Sequence, residues 1–507
     1  MNLRPLQFLL NPLQNNISKI IPTMSTSPSL LSSPLTQPQP VIVVGSGLAG
    51  LSAATQLISH QVPVIMLERA PKAGGNSMKA SSGINGAPTK FQPEGGSDSQ
   101  ELFFADTVKS AGNVLASSPA EEHKRRESLI STLTASSAEA VYWLSEEKGV
   151  DLSKVCRLGG HSQPRTHRGA GQRPPGISIV SALLDPLKAN KLFQLREGAR
   201  VTRVLREAGE VLGVQYAGEE DSRTTLNGPV VFASGGFAGD AHGLLAKYRP
   251  DLAGIPSTNQ AVEGTQPLLE EVGAGLVDME QVQIHPTGFL DEKEPSASVK
   301  ILAAEALRGE GGILLLGDGT RFVNELETRE HITNVIMRSA KPLETDARQW
   351  DVNLLLDEGT AAALGSHMGF YLWKGLVRKT TVGELDPSML DTVRKYADIV
   401  SGKEKDEFGR TAFGNWSLTD VTSDSVVYIG KVTPVTHFTM GGATIDEHTQ
   451  VLAKDGTPIK GLWAAGEVTG GLHGQNRLGG SSLLECVVFG RIAGNEAAAF
   501  HKKHYSS

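Results

Sequence analysis

Residues 41–68 constrain this chain more than any other stretch. Val41-Ile42-Val43-Val44 is a short β-branched apolar run, suited to a strand buried on both faces. It enters Gly45-Ser46-Gly47-Leu48-Ala49-Gly50 and then a helical Leu51-Ser52-Ala53-Ala54-Thr55-Gln56-Leu57. A second apolar strand, Val64-Ile65-Met66-Leu67, is closed by Glu68. Together these make one βαβ unit. Gly45 permits the tight turn, Gly47 lets backbone N–H groups approach a pyrophosphate, and Gly50 lets the helix pack closely on the sheet. Glu68 stands where an acid accepts hydrogen bonds from a ribose 2′-OH. The pattern predicts a dinucleotide site and leaves open which dinucleotide.

In a chain of 507 residues this unit is one part of about two or three domains. The net charge of −7 gives no electrostatic reason to expect nucleic acid or an anionic membrane as partner. No uninterrupted apolar run reaches the roughly 20 residues needed to cross a bilayer, so no membrane span is expected. Cys156 and Cys486 are the only cysteines and lie far apart, which excludes a disulfide framework, zinc spacing and a haem-attachment motif. No metal site is expected.

Residues 1–40 hold no Asp or Glu and two basic residues, Arg4 and Lys19, among many Ser, Leu, Pro and Asn. A leader over residues 1–39 fits a mitochondrial transit segment, although one poor in basic residues, and a disordered tail fits equally. The expected localisation is mitochondrial, with a cytoplasmic form from a start at Met24 as the alternative. The proline-rich run 34–40 links the leader to the first strand.

After Glu68, Arg69-Ala70-Pro71-Lys72-Ala73-Gly74-Gly75-Asn76-Ser77 can return to the cofactor, and Ser81-Ser82-Gly83-Ile84-Asn85-Gly86 offers small residues against which a flat ligand can lie. Residues 101–111 and about 120–147 are helical in period. A turn-rich basic segment spans 157–175, and residues 192–217 alternate as a β-meander. Val230-Val231-Phe232-Ala233-Ser234-Gly235 is a further strand ending in glycine. Unusual polar residues gather between about 280 and 438, where each alone reads as structural. A lone His is usually a satisfied structural residue, and Glu305 and Arg308, three apart, would share one helical face as an ordinary ion pair.

The C-terminal part returns to the cofactor pattern. Gly461-Leu462-Trp463-Ala464-Ala465-Gly466-Glu467 reads as a strand ending in Gly-Glu, and a glycine-rich run from Gly470 opens a small-residue helix over 483–499. Such a helix N-terminus suits the electron-rich edge of a reduced flavin. An NAD site needs no second grip of this kind, whereas FAD is long enough to be held at both ends. The expected cofactor is therefore FAD.

Several runs now stand together: residues 41–76, His285-Pro286-Thr287, Glu305-Ala306-Leu307-Arg308-Gly309, Arg321-Phe322-Val323-Asn324-Glu325, the run from His437 to Gly442, and that from Ala465 to Gly480. They resemble the soluble fumarate reductases, the flavoproteins that include bacterial flavocytochrome c fumarate reductases and the yeast NADH-linked enzymes. The resemblance covers essentially everything after Pro40. It implies an α/β fold: a Rossmann-like FAD-binding domain (40–279 and 439–507) with an inserted α+β clamp domain (280–438). The implied reaction reduces fumarate to succinate by hydride transfer from FAD N5, with Arg329 as the active-site acid and Glu305 and Arg308 returning its proton. His285, His437 and Arg477 are implied as substrate-binding residues, and Glu467 as the acid on the FAD ribityl chain. The remaining cofactor contacts expected are Gly45, Ser46, Gly47, Leu48, Ala49, Gly50, Glu68, Arg69, Gly75, Asn76, Ser77, Ser82, Gly83, Ala233, Ser234, Gly235, Ser482 and Leu483.

The chemistry suits those residue types. Fumarate is a rigid dianion, so its pocket must offer cations and donors at both ends, a bidentate Arg being the best single partner. Fixing both carboxylates orients the double bond for hydride transfer and stabilises a carbanion-like transition state. Arginine, with a pKa above about 12, serves as an acid only toward a very basic carbanion and with a carboxylate relay behind it. Three departures from the family pattern stand out. Ala304 replaces a substrate-contacting Thr of bacterial members, and Ala261-Val262-Glu263-Gly264 replaces Thr-Gly-Asp-Gly. Ser77 stands where membrane-bound relatives carry the histidine that binds FAD covalently, so FAD is expected to be non-covalent. The electron donor is left open among NADH, reduced free flavin and a partner protein. A reductase or oxidase for another unsaturated or amino acid, such as urocanate or L-aspartate, and a non-catalytic flavoprotein are the alternatives.

Overall fold

The computed structural model describes residues 39–93, 97–171, 173–218 and 222–505. The transit-leader and Met24 expectations fall on residues outside the described ones. Within the described chain, the strand Val41–Val44 is wholly buried because it has parallel neighbours on both sides, Val64–Leu67 and Val230–Phe232. The sheet continues through Pro458–Ala464, which comes from the other end of the sequence and pairs parallel with Val230–Phe232.

The meander expected over 192–217 divides. Phe193–Arg196 pairs parallel with Val64–Leu67 and closes that edge of the sheet. The antiparallel meander is instead Arg200–Glu207, Glu210–Ala217 and Arg223–Asn227. A parallel edge left open would expose unpaired backbone groups, and this short strand covers them. The helix expected over 120–147 breaks at Ser136 into Ala120–Ala135 and Ser137–Tyr142, followed by a wider π turn over Trp143–Glu147.

The last helix is longer than its small-residue run suggested, spanning Ser481–Tyr505. It crosses the first helix, Leu48–Ser59, at backbone contact. A Cβ on Gly490 would lie 2.5 Å from the Ala49 carbonyl oxygen, and one on Gly494 would lie 2.4 Å from that of Ala53. Glycines at this crossing therefore lock the two ends of the described chain together beside the glycine turn.

A second, antiparallel sheet orders Val282–Phe289, Val426–Thr439, Val352–Asp357 and Ile313–Leu316, with Arg378–Thr381 also paired to the long strand. It carries its own apolar clusters, one around Phe289, Leu354 and Val432 and another around Leu355, Val393 and Tyr396. Buried ion pairs tie neighbouring segments together. Arg126 clasps Asp278 with two hydrogen bonds, and Arg165 binds Asp98 and Asp106. The basic segment 157–175 is thus largely spent on structure, since Arg168 also pairs with Glu310. Among the described residues no helix is long and apolar enough to cross a membrane.

Candidate active site

The glycine turn does what its sequence demands. Gly45 sits at φ +100°, and a Cβ there would lie 2.4 Å from the Ala233 carbonyl oxygen. Gly47 precedes the helix Leu48–Ser59, and a Cβ there would meet only Ser77 Oγ, at 3.6 Å. Backbone at this helix N-terminus is thereby left approachable, as phosphate binding requires. The Leu48 N–H donates to Ser77 Oγ at 3.0 Å, and Ala49 and Gly50 complete the buried first turn.

Glu68 braces this turn. It accepts from the Ser46 N–H at 3.0 Å, the Ser46 hydroxyl at 2.5 Å and the Ala70 N–H at 2.8 Å. Arg69 donates to the Glu263 carbonyl at 2.6 Å, so the loop 261–264 closes onto the segment after Glu68. Gly75 lies against Gly47, and Asn76 accepts from Lys79. Ser82 precedes Gly83, which takes φ +121° beside the His167 carbonyl. Ala233, Ser234 and Gly235 follow the third parallel strand. Ser234 bonds Thr265, and a Cβ on Gly235 would meet nothing within 4 Å. Open backbone at Gly47 and Gly235, with an acid after the second strand, fits the adenine-nucleotide half of FAD.

Glu467 follows the strand Pro458–Ala464 and lies beside Gly236, where a Cβ would sit 2.2 Å from its Oε1. Glu467 accepts from the Thr439 N–H at 2.9 Å. Burial, helped by Glu485, pushes its carboxyl up to about 7. Ser482 and Leu483 begin the last helix, whose Ser481 is held by Asn85 at 3.0 Å. An acid able to stand neutral or charged near pH 7, beside a helix N-terminus, suits the polar flavin half of the cofactor.

The expected substrate and relay residues converge between the second sheet and the segment 473–480. Arg329 opens the helix Arg329–Ser339, behind the N-cap Thr328. Its guanidinium meets Glu305 Oε2 through Nε at 2.7 Å and Nη2 at 2.6 Å, and its Nη1 donates to Gln283 Oε1 at 2.8 Å. The same amide oxygen accepts from Arg477 Nη2 at 3.0 Å. Gln283 Nε2 donates back to the Arg477 carbonyl at 2.6 Å. One glutamine thus holds two buried guanidiniums of like charge at a fixed spacing. Arg477 stacks 4.2 Å from the Phe438 ring centroid, and burial and the Arg329 charge bring its guanidinium down to about 9.

His285 and His437 face each other with ring centroids 5.3 Å apart. His285 lies at a bulge in Val282–Phe289, its Nδ1 against Thr287 and its Nε2 buried without a protein partner. His437 Nδ1 meets Thr258 Oγ1 at 2.9 Å. Burial and then Arg329 hold both imidazoles well below their usual value. At neutral pH they are uncharged, and the positive charge of the site resides in its arginines.

Glu305 is buried. Burial alone would raise its carboxyl, but Arg329 and Arg308 outweigh it and hold it at about 2. Its other oxygen accepts from the Gly159 N–H at 2.8 Å. Glu305 and Arg308 do share a helical turn, since Glu305 is the N-cap of Ala306–Gly309 and its carbonyl accepts from the Arg308 N–H at 3.0 Å, but their side chains turn to different partners. Arg308 instead donates from Nη1 to the Glu325 carbonyl at 2.7 Å, while its Nε and Nη2 are buried without partners. Burial lowers its guanidinium to about 10.

Sequence reasoning passed over Gln283, Thr258 and Gly159. Gln283 had a signal, since it lies two residues from His285 on a strand and so on the same face. Thr258 and Gly159 had none, because they reach the site from 179 and 146 residues away.

The FAD binding domain family matches residues 40–483 of this chain. Fumarate reductase 1 of Saccharomyces cerevisiae is 42% identical over 480 residues, covering 90% of this chain and 98% of that protein. The fumarate reductase of Schizosaccharomyces pombe is 40% identical, over 90% of this chain and 89% of its own. The open conformation of a flavocytochrome c3 fumarate reductase superposes with a TM-score of 0.70 at 31% identity, over 91% of this chain and 78% of that one. The chain belongs to the FAD-binding-domain family and, within it, to the fumarate reductase group of flavoprotein oxidoreductases acting on CH–CH bonds.

Proposed function

We propose that this protein reduces fumarate to succinate. The observation that carries the proposal is the pair Arg329–Arg477 bridged by Gln283 Oε1, with Glu305 behind Arg329 and two neutral histidines opposite each other. FAD, held without a covalent bond because Ser77 offers no histidine nitrogen, supplies the hydride when bound and reduced. Arg477 and the histidines grip the carboxylates of the dianion, the first as a charged donor and the others as neutral N–H donors. Orientation by these groups and withdrawal of charge toward one carboxylate lower the barrier to a carbanion-like transition state.

Arg329 then protonates the carbon. Glu305, a carboxylate at rest, takes a proton from Arg308 as it passes one to Arg329 along their hydrogen-bonded contact, and so ends the step as a carboxylate again. The second sheet and its helices, residues 280–438, act as the clamp over residues 40–279 and 439–507. The electron donor is NADH or reduced free flavin, and the protein acts in the mitochondrion.

The test is anaerobic reoxidation of the dithionite-reduced, FAD-loaded protein. Fumarate should restore the flavin absorbance with stoichiometric succinate, while urocanate and L-aspartate leave the flavin reduced. Failure of fumarate to reoxidise the flavin refutes the proposal. Stopped-flow mixing with each donor identifies the source of electrons, and organelle import of the full chain against one starting at Met24 tests the localisation.

A further inference from the structure

Seven large apolar side chains are exposed among the described residues, and three of them share one short helix, Ser366–Lys374. Trp373 is the extreme case at 75% exposed, with Phe370 at 42% and Leu372 at 38%. The other four, Leu102, Leu212, Val262 and Val299, stand singly in different segments, as scattered surface residues do.

The helix is fixed from within. Met368 and Tyr371 are buried against the second sheet, the Tyr371 ring lying 4.7 Å from that of Phe289. The Tyr371 hydroxyl donates to the Leu302 carbonyl at 3.1 Å and accepts from the Ala304 N–H at 3.3 Å. At roughly 3.6 residues per turn, this leaves Leu372, Gly369, Trp373, Phe370 and Lys374 following one another around the outer side. The Phe370 and Trp373 rings lie 6.2 Å apart there, and Lys374 Nζ sits 5.2 Å from the Trp373 centroid. A Cβ on Gly365, Gly369 or Gly375 would meet nothing within 4 Å, so the outer side projects and lines no groove. Lys379 stands on the same face of the sheet, because it pairs opposite Tyr428, which pairs opposite Leu356 in the apolar cluster of Met368 and Tyr371. Its acid partner is Glu358, at 3.6 Å in an exposed pair. Lys374 is in no ion pair among the described residues.

Area and shape decide what covers this face. Nine residues make a helix about 14 Å long, whose outer half covers on the order of 200 Å². A stable contact with a second copy or another protein needs about 800 Å² per partner, and its anchors sit in well-packed pockets. A bilayer demands neither. Its headgroup–acyl boundary takes up a projecting aromatic and aliphatic face, with the indole N–H kept at the wet edge and lysine stems reaching back to the headgroups. The net charge of −7 gives the chain no long-range pull toward an anionic surface, so contact depends on this face and its lysines. We propose that the helix Ser366–Lys374 docks the protein on a bilayer with anionic headgroups, Trp373, Phe370 and Leu372 entering the boundary and Lys374 and Lys379 meeting the headgroups. Contact of this kind is peripheral and reversible. It is independent of the fumarate reductase reading.

Tryptophan emission reads this face alone, because Trp143, Trp350, Trp416 and Trp463 are buried and Trp373 is not. The FAD-loaded full chain is mixed with phosphatidylcholine–phosphatidylserine vesicles and with vesicles of phosphatidylcholine alone. It should sediment with the mixed vesicles, its emission should shift to the blue, and lipids brominated near the headgroup should quench it. Affinity for phosphatidylcholine alone should be lower by roughly fivefold per lysine, and Lys374→Glu should remove much of that preference. Trp373→Ser should lower vesicle affinity by on the order of tenfold or more and leave flavin content unchanged. Phe370→Ser is the second variant, which keeps the reporter and remains informative if Trp373→Ser fails to fold. Wild-type protein that stays in solution with the mixed vesicles overturns the inference, as does vesicle binding that both serine variants leave unchanged. Self-association in sedimentation velocity that Trp373→Ser abolishes also overturns it, since the face would then be a contact between copies.

Discussion

Gln283→Glu is the sharpest test of the arginine pair, because it charges the oxygen both arginines share while giving up the Nε2 donation to the Arg477 carbonyl. The wild-type amide oxygen lies 2.8 Å from Arg329 Nη1 and 3.0 Å from Arg477 Nη2. A carboxylate oxygen in that place attracts each guanidinium by about 6 kcal/mol at an effective dielectric of about 20. Most of this is offset by the several kcal/mol needed to bury the new charge. If about 2 kcal/mol survives as tighter hold on the Arg329 proton, release of that proton is disfavoured by about 30-fold. Turnover should then fall between about 5-fold and 30-fold, according to how far proton transfer has advanced in the transition state. The added negative charge also opposes a dianionic substrate, so KM for fumarate should rise.

The assay is anaerobic stopped-flow oxidation of the reduced, FAD-loaded variant by fumarate across a concentration series. Gln283→Leu is the companion change. It leaves two buried guanidinium N–H groups without an acceptor, at roughly 1–3 kcal/mol each, and should lower the thermal midpoint more than Gln283→Glu, which keeps both acceptor contacts and loses the Nε2 donation. A Gln283→Glu protein with wild-type kcat and KM refutes the idea that this amide sets the acidity and spacing of the two arginines.

Arg329→Ala should keep its flavin spectrum and lose nearly all turnover with fumarate; near-normal turnover would remove Arg329 from the role of acid. KM for fumarate should climb above about pH 9, because burial and Arg329 lower Arg477 to about 9 and its charge is lost there; an initial-rate pH series checks this. Glu467, with its carboxyl raised to about 7, holds its proton longer when folded than unfolded. Its stabilising contribution to the FAD-free protein is present below the unfolded carboxyl value of about 4.3 and is lost as pH rises to about 7. Glu467→Gln should therefore raise the thermal midpoint of the FAD-free protein at pH 8 while weakening FAD binding, measured by flavin fluorescence. Gly490→Ala should cost about 1–3 kcal/mol of stability, read by denaturant unfolding, because its methyl meets the Ala49 carbonyl across the helix crossing.

How much of this was legible in the chain depended on whether a contact was local. The glycine turn was readable because its physics lies within one βαβ unit: Gly45 needs its positive φ, and Gly50 would strike the Gly45 carbonyl with any Cβ. The last helix was readable as an element but not in its extent or its packing, since nothing local says that Gly490 and Gly494 will press on Ala49 and Ala53. Misreading Phe193–Arg196 as part of the meander had the same origin. Alternation identifies a strand, but its partner is a parallel edge 129 residues away in sequence, where Phe193 pairs with Val64. The candidate site divides in the same manner. Gln283 shares a strand face with His285 and could have been named from period two alone. The Glu305–Arg308 spacing suggested a helical ion pair; the turn forms with Glu305 as its N-cap, yet tertiary contacts give the Glu305 carboxylate to Arg329 and Gly159 instead. A buried carboxylate is satisfied by whichever donors the fold delivers to it, and here those donors come from segments that spacing cannot connect. The neutrality of His285 and His437 follows from that assembly too, because burial first, and then the charge of Arg329, depress both only once the fold has brought these groups together.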